Sequence, residues 1–267
     1  MNRLKTTLKW LTGIVALVYI AVCGYFYFEQ ERLIFPLHKL PADYRFVFQD
    51  KFEERRIKTA DGKNLDGLLF KSDSSKGLIF YLHGNTGSLE TWGLIASTYT
   101  RMHYDIFMAD YRGYGKSEGE ISSEQQFFDD VQAAYNSLRK DYAESKIVIL
   151  GYSIGTGPAA MLASRNHPKL LILQAPYFSV ADLSQKSYPF LPSFLLKYKF
   201  RTNEFLAKTT SPVLIIHGDA DEVIYCGSSQ KLKECFKPGD KLVILKGQGH
   251  NGFTHNAEYL AELKNIL

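Results

Sequence analysis

Cysteine is scarce in this 267-residue chain. The three present, Cys23, Cys226 and Cys235, form no zinc-binding pattern. Cys226 and Cys235 flank a segment expected as one short helix, on which nine positions span about 13 Å, too far for a disulfide. All three are expected as free thiols, which leaves the redox compartment open. A strong charge of one sign is also missing. Lys and Arg number 32 against 28 Asp and Glu, a formal +4, and Arg3, Lys5 and Lys9 supply part of it at the extreme N-terminus. No basic groove remains to track a phosphate backbone, so nucleic acid is not an expected partner. Internal repeats and low-complexity tracts are absent as well. What is there is 45% hydrophobic and 14% aromatic, enough to bury a full core, and the length suits one large domain better than two.

Residues 10–28, WLTGIVALVYIAVCGYFYF, carry no charge. As a helix they span about 28 Å, close to the hydrocarbon core of a bilayer. A cleaved signal peptide has a shorter apolar region, roughly 7–15 residues, and a small-x-small cleavage site, which AVCGYF supplies poorly. Val22 ahead of Cys23 also argues against lipoprotein processing. The expectation is therefore a single uncleaved transmembrane anchor. Residues 1–9, with their three basic side chains, are expected in the cytoplasm, and Trp10, Tyr25 and Tyr27 at the interfaces. The rest of the chain then lies on the extracytoplasmic side. Residues 29–44 carry two prolines and mixed charge and read as a juxtamembrane linker leading away from the bilayer.

Beyond residue 45 two strand-like segments, ERRIKTA and NLDGLLFK, meet at the hairpin signal Asp61-Gly62. Apolar strand-like runs then alternate with helical patterns: GLIFYLHG, a helix from Ser88 to Met102, YDIFMADYRG, a helix from Ser123 to Tyr142, and KIVILGYS with a third helix. KLLILQAP, PVLIIHGDAD and KLVILKGQGH continue the series, and an amphipathic helix closes the chain. Ser122 and Gln125 are expected to form a capping box for the second helix. Such alternation predicts an α/β fold with a mostly parallel sheet covered on both faces. Active groups in that architecture gather at the carboxyl ends of the strands. Those ends carry His83-Gly84-Asn85, Asp110, Ser153, Asp219 with Asp221, and His250.

Ser153 lies in Gly151-Tyr152-Ser153-Ile154-Gly155, between an apolar strand and a helical pattern. A Gly-x-Ser-x-Gly match arises from composition alone in roughly one chain of this length in ten, so the strand-turn-helix context carries the argument. A serine hydroxyl becomes a nucleophile when a histidine takes its proton and an acid orients that histidine, and in this fold the order is Ser, acid, His. His250, after the last strand, is the expected base, with His255 as competitor; His38, His103 and His167 lie off the strand ends. Both Asp219 and Asp221 are open as the acid. Asp221 has more loop in which to turn toward His250, whereas Asp219 is placed to cap the local turn. A metal site from His217, Asp219, Asp221 and Glu222 is disfavoured because these ligands are near neighbours and no second cluster appears.

Together, HGN, DYRGYGKSEG, GYSIGTGPA, HGDADEVI and GQGHN resemble the α/β-hydrolase fold from about Arg45 to Leu267. More narrowly the chain resembles the membrane-anchored α/β-hydrolase-domain serine hydrolases, a group that includes protein depalmitoylases and lysophospholipid lipases, and it shares their segment after the anchor, Gln30 to Pro36. The resemblance implies an eight-stranded, mostly parallel sheet, Asp221 as the acid, and an oxyanion hole of the backbone N–H groups of Asn85 and Ile154. By the same resemblance Asp110 and Arg112 are structural. The resulting expectation is a serine hydrolase that needs neither cofactor nor metal and cleaves carboxylic or thioesters of acyl or lipid-like substrates through an acyl-enzyme. A serine peptidase of the same fold and a silent membrane scaffold are the alternatives. The connection at residues 177–210 is far longer than usual and holds YPFLPSFLLKYKF. It is expected either as a covering helix or as a lid over an acyl pocket, with Lys197, Lys199 and Arg201 placed to meet anionic headgroups.

Overall fold

The computed structural model describes residues 2–267; Met1, part of the stretch expected in the cytoplasm, lies outside the described residues. The chain begins with two helices, α1 (Asn2–Phe28) and α2 (Gln30–Ile34). α1 starts earlier than its apolar run, taking in Arg3, Lys5 and Lys9, and at about 1.5 Å per residue it is longer than a bilayer core is thick. Its Arg3–Phe28 portion is long and apolar enough to cross a membrane, and none of its most apolar window is buried against the rest of the molecule.

Eight strands follow: β1 (Phe52–Lys58), β2 (Asn64–Phe70), β3 (Leu78–Leu82), β4 (Asp105–Ala109), β5 (Ile147–Tyr152), β6 (Leu170–Gln174), β7 (Val213–Gly218) and β8 (Lys241–Leu245). They form one sheet in the order β1-β2-β4-β3-β5-β6-β7-β8. β1/β2 and β2/β4 pair antiparallel and the remaining strands parallel. The β1–β2 hairpin turns through Gly62, whose φ of 82° is the left-handed value an Asp-Gly turn requires. Because side chains alternate along a strand, β3 sends Phe80 and Leu82 into one apolar layer and Ile79 and Tyr81 into the other. That double burial explains why the strands read as continuous apolar runs.

The remaining helices are α3 (Leu89–Trp92), α4 (Ala96–Thr100), α5 (Glu124–Leu138), α6 (Thr156–Arg165), α7 (Val180–Ser187), α8 (Thr202–Leu206), α9 (Gly227–Leu232) and α10 (Ala257–Ile266). The helix expected over residues 88–102 is divided into α3 and α4 by a 3-10 turn at Gly93–Ile95. α5 is capped one residue later than expected. Ser123, not Ser122, accepts from the Gln126 N–H, and the Gln126 side chain accepts from the Ser122 N–H. Cys226, Cys235 and Cys23 are free thiols.

Residues 29–44 do not lead away from the domain. Phe35 is buried against Phe127 and Tyr198, and Gly115 exchanges backbone hydrogen bonds with His38 and Leu40. An apolar residue of this size gains more from the core than from solvent, so the two prolines shape a docked strap instead of a spacer.

Candidate active site

Ser153 stands at the sharp turn between β5 and α6 with φ +53°, a left-handed conformation unusual for a residue bearing a side chain. The flanking glycines are explained by close approach. A Cβ at Gly155 would lie 2.1 Å from the Leu82 carbonyl oxygen, and one at Gly151 would lie 2.5 Å from the Gly155 oxygen. Backbone packing therefore forces the chain to turn where the serine is displayed. Tyr177 braces the turn from the far side, its hydroxyl 3.0 Å from the Ile154 carbonyl oxygen and 3.1 Å from the Gly157 nitrogen.

His250 follows β8 and Asp221 follows β7. His250 Nε2 lies 3.0 Å from Ser153 Oγ and its Nδ1 lies 2.8 Å from Asp221 Oδ2. All three side chains are largely buried. Burial on its own would raise the Asp221 pKa, but hydrogen bonds from His217, His250 and the Ile224 backbone outweigh it and hold the carboxyl well below the usual range. An ionised carboxylate only accepts, so Nδ1 of His250 donates to it, and the other ring nitrogen, Nε2, faces the serine hydroxyl. Asp219 is directed elsewhere, accepting from the Gly247 N–H at 2.6 Å and so pinning the loop after β8. His255 lies in a 3-10 turn before α10.

Further residues support this line, and the parts that His217 and Tyr152 play in it are set only by the fold. His217 Nδ1 is 2.6 Å from Ser229 Oγ, and its Nε2 is 2.8 Å from the Ile224 carbonyl and 3.2 Å from Asp221 Oδ2. Its nitrogens are committed to holding the acid loop, which leaves none for a metal. The Tyr152 hydroxyl lies 2.9 Å from the His250 carbonyl oxygen and anchors the histidine loop; its place beside Ser153 was the only signal. Asp110 accepts from the Leu89 N–H at the start of α3, and Arg112 binds Asp61 and Asp130. The buried His83 ring packs against that of Tyr111, centroids 4.2 Å apart, at the turn that carries Asn85.

Asn85 and Ile154 face a cavity of about 400 Å³, within the size range of small-molecule sites. Leu183, Leu191, Leu195 and Leu196 of the 177–210 segment line it, and none of its lining residues carries a charge. Two aromatic residues of the same segment are elsewhere. Phe194 is 80% exposed on the outside of the segment, and Phe190 packs on α1. Lys197 is not free for a headgroup, because it is paired with Glu31 at 3.1 Å.

A family model described as serine aminopeptidase, S33 matches residues 73–202. The α/β-hydrolase domain-containing protein 17C of Xenopus tropicalis is 34% identical over 229 residues, covering 82% of this chain and 70% of its own length. The human α/β-hydrolase domain-containing protein 17B is 32% identical over 240 residues, covering 85% and 79%. Among solved structures, an esterase of Pyrococcus furiosus superposes with a TM-score of 0.67 at 17% identity, covering 87% of this chain and 97% of that one. Est1E of Butyrivibrio proteoclasticus, with ferulic acid bound, gives 0.63 at 23% identity, covering 79% and 95%; both show the shared fold. With the relatives matched over most of their length and the eight-stranded sheet in place, the chain belongs to the α/β-hydrolase-domain proteins of the α/β-hydrolase superfamily.

Proposed function

We propose that this protein is a membrane-anchored serine hydrolase that cleaves carboxylic or thioesters of acyl substrates. The observation that carries this reading is the continuous hydrogen-bonded line Asp221–His250–Ser153, with Ile154, the residue after Ser153, lining an uncharged cavity. In the proposed reaction, Ser153 Oγ attacks the ester carbonyl carbon as His250 Nε2 takes its proton, and the backbone N–H groups of Asn85 and Ile154 stabilise the oxyanion. His250 then delivers the proton to the leaving alcohol or thiol, and water, deprotonated by the same imidazole, releases the acid from the acyl-enzyme. A peptidase selecting a free amino terminus needs an acid to hold the ammonium, and no Asp or Glu lines this cavity. An acyl chain gains instead roughly 0.8 kcal/mol for each methylene buried. In this reading α1 spans the membrane with residues 1–9 in the cytoplasm, and residues 45–267 work on the extracytoplasmic side.

Fluorophosphonate labelling tests the nucleophile. The wild type should label and hydrolyse p-nitrophenyl esters, and Ser153→Ala should do neither. Labelling that survives the substitution, or a wild type inert toward both, would overturn the proposal.

A further inference from the structure

The cavity that Asn85 and Ile154 line is not enclosed by the hydrolase domain alone. Phe26, in the last turn of the membrane helix, is one of its walls, facing the same space as Asn85 and Ile154. Its ring lies 5.3 Å from that of Tyr188 and 6.2 Å from that of Phe190, both on the 177–210 segment. Hydrogen bonds fix the register of the two elements. Tyr19 on α1 donates to the Phe190 carbonyl at 2.9 Å. Gln30, 6% exposed, donates to the Leu195 carbonyl and accepts from the Lys197 N–H, each at 2.8 Å. At the inner end, Asn85 Nδ2 donates to the Ile34 carbonyl at 3.0 Å, which ties α2 to the turn beside the nucleophile.

Resting on the ester-hydrolase reading above, we propose that Phe26 of the membrane helix is a specificity-determining wall of the acyl site. One acyl chain of a membrane lipid enters between α1 and the 177–210 segment and lies against the Phe26 ring. Three features identify this occupant. The lining is mostly apolar and uncharged, the cavity is of a size for one chain, and its outer wall belongs to a helix long and apolar enough to cross a membrane. The helix is then part of the substrate site as well as an anchor, and the length of chain accepted depends on how far the residue at position 26 protrudes.

The test uses the full chain in phospholipid nanodiscs and follows the ratio of kcat/KM for p-nitrophenyl laurate over butyrate. Phe26→Trp should lower this ratio about tenfold, the effect of excluding roughly two methylenes, and Phe26→Ala should move the preferred chain length upward. Leu17→Trp, on the opposite side of the same helix about half a turn round and 71% exposed, should leave the ratio unchanged. A second measurement does not depend on turnover: binding of cis-parinaric acid to Ser153→Ala protein should weaken about tenfold when Phe26→Trp is added. If neither Phe26 variant alters the ratio or the binding, or if Leu17→Trp alters the ratio equally, the wall assignment is overturned. If wild-type protein hydrolyses no ester but parinaric acid binding still responds to Phe26, the ester-hydrolase reading fails and the wall assignment stands.

Discussion

His217 places its Nε2 3.2 Å from Oδ2 of Asp221, the same carboxylate oxygen that His250 Nδ1 reaches at 2.8 Å. One buried acid is thus held from two sides, which in the proposed mechanism makes His217 a positioning residue for it. His217→Ala should lower kcat by about 10–100-fold with little change in KM, because displacing a catalytic group costs turnover more than ground-state binding. His217→Gln, which retains a donor, should recover part of the loss. The low-field proton signal of His250 Nδ1 should weaken in parallel. An unchanged signal beside lost activity would show that His217 serves folding alone.

Asp219 and Asp221 are two residues apart and make different bonds, which separates their variants. Asp221→Asn should cut kcat by roughly 10³–10⁴-fold through the wrong imidazole tautomer. Asp219→Asn should cost only a few-fold while loosening the loop after β8, read by hydrogen exchange at Gly247. Ser153→Ala combined with His250→Ala should be little worse than either alone, since members of one proton relay fail together. Steady-state kinetics checks both, and the reverse ranking of the two aspartates would move the role to Asp219.

Gly155→Ala should unfold the protein or displace the serine turn, because its new Cβ would meet the backbone carbonyl of Leu82 at 2.1 Å, an atom that cannot move without disturbing β3. Gly249→Ala, with nothing nearer than 3.5 Å, should be tolerated sterically. The thermal midpoint and fluorophosphonate labelling of the two variants make the comparison.

Two buried groups give stability opposite slopes in acid. Burial lowers the His83 pKa to about 4. Below the unfolded value of about 6.5 the unfolded chain takes up a proton that the folded state refuses, so this contribution is present above that pH and is lost as pH falls toward 4. Burial raises Asp66 to about 6 despite the nearby Lys116. Its contribution is present below the unfolded value of about 3.9 and is lost as pH rises through 6. Asp66→Asn should therefore raise the urea midpoint relative to wild type at pH 8 and not at pH 4. His83→Asn should flatten the wild-type decline between pH 6.5 and 4.

The sequence by itself determined the eight-stranded α/β sheet, the apolar helix ahead of it, and the strand-end residues Ser153 and His250, with Asp221 as one of two candidate acids, that the structure draws together. These features are legible because periodicity and turn chemistry are local. A strand buried on both faces must be apolar throughout, and a turn crowded by neighbouring backbone must use glycine. The residues alone left Asp219 and Asp221 open, since choosing between them depends on which way a loop turns after β7. Tertiary structure decided what local pattern cannot carry: the hold of His217 on the acid, the docking of residues 29–44, the outward aim of Phe194, and the place of Phe26 in the cavity wall. Each depends on partners far apart in the chain. Gln30 and Leu195 meet across 165 residues and Tyr19 and Phe190 across 171, and such contacts exist only where the packed core has already fixed both surfaces.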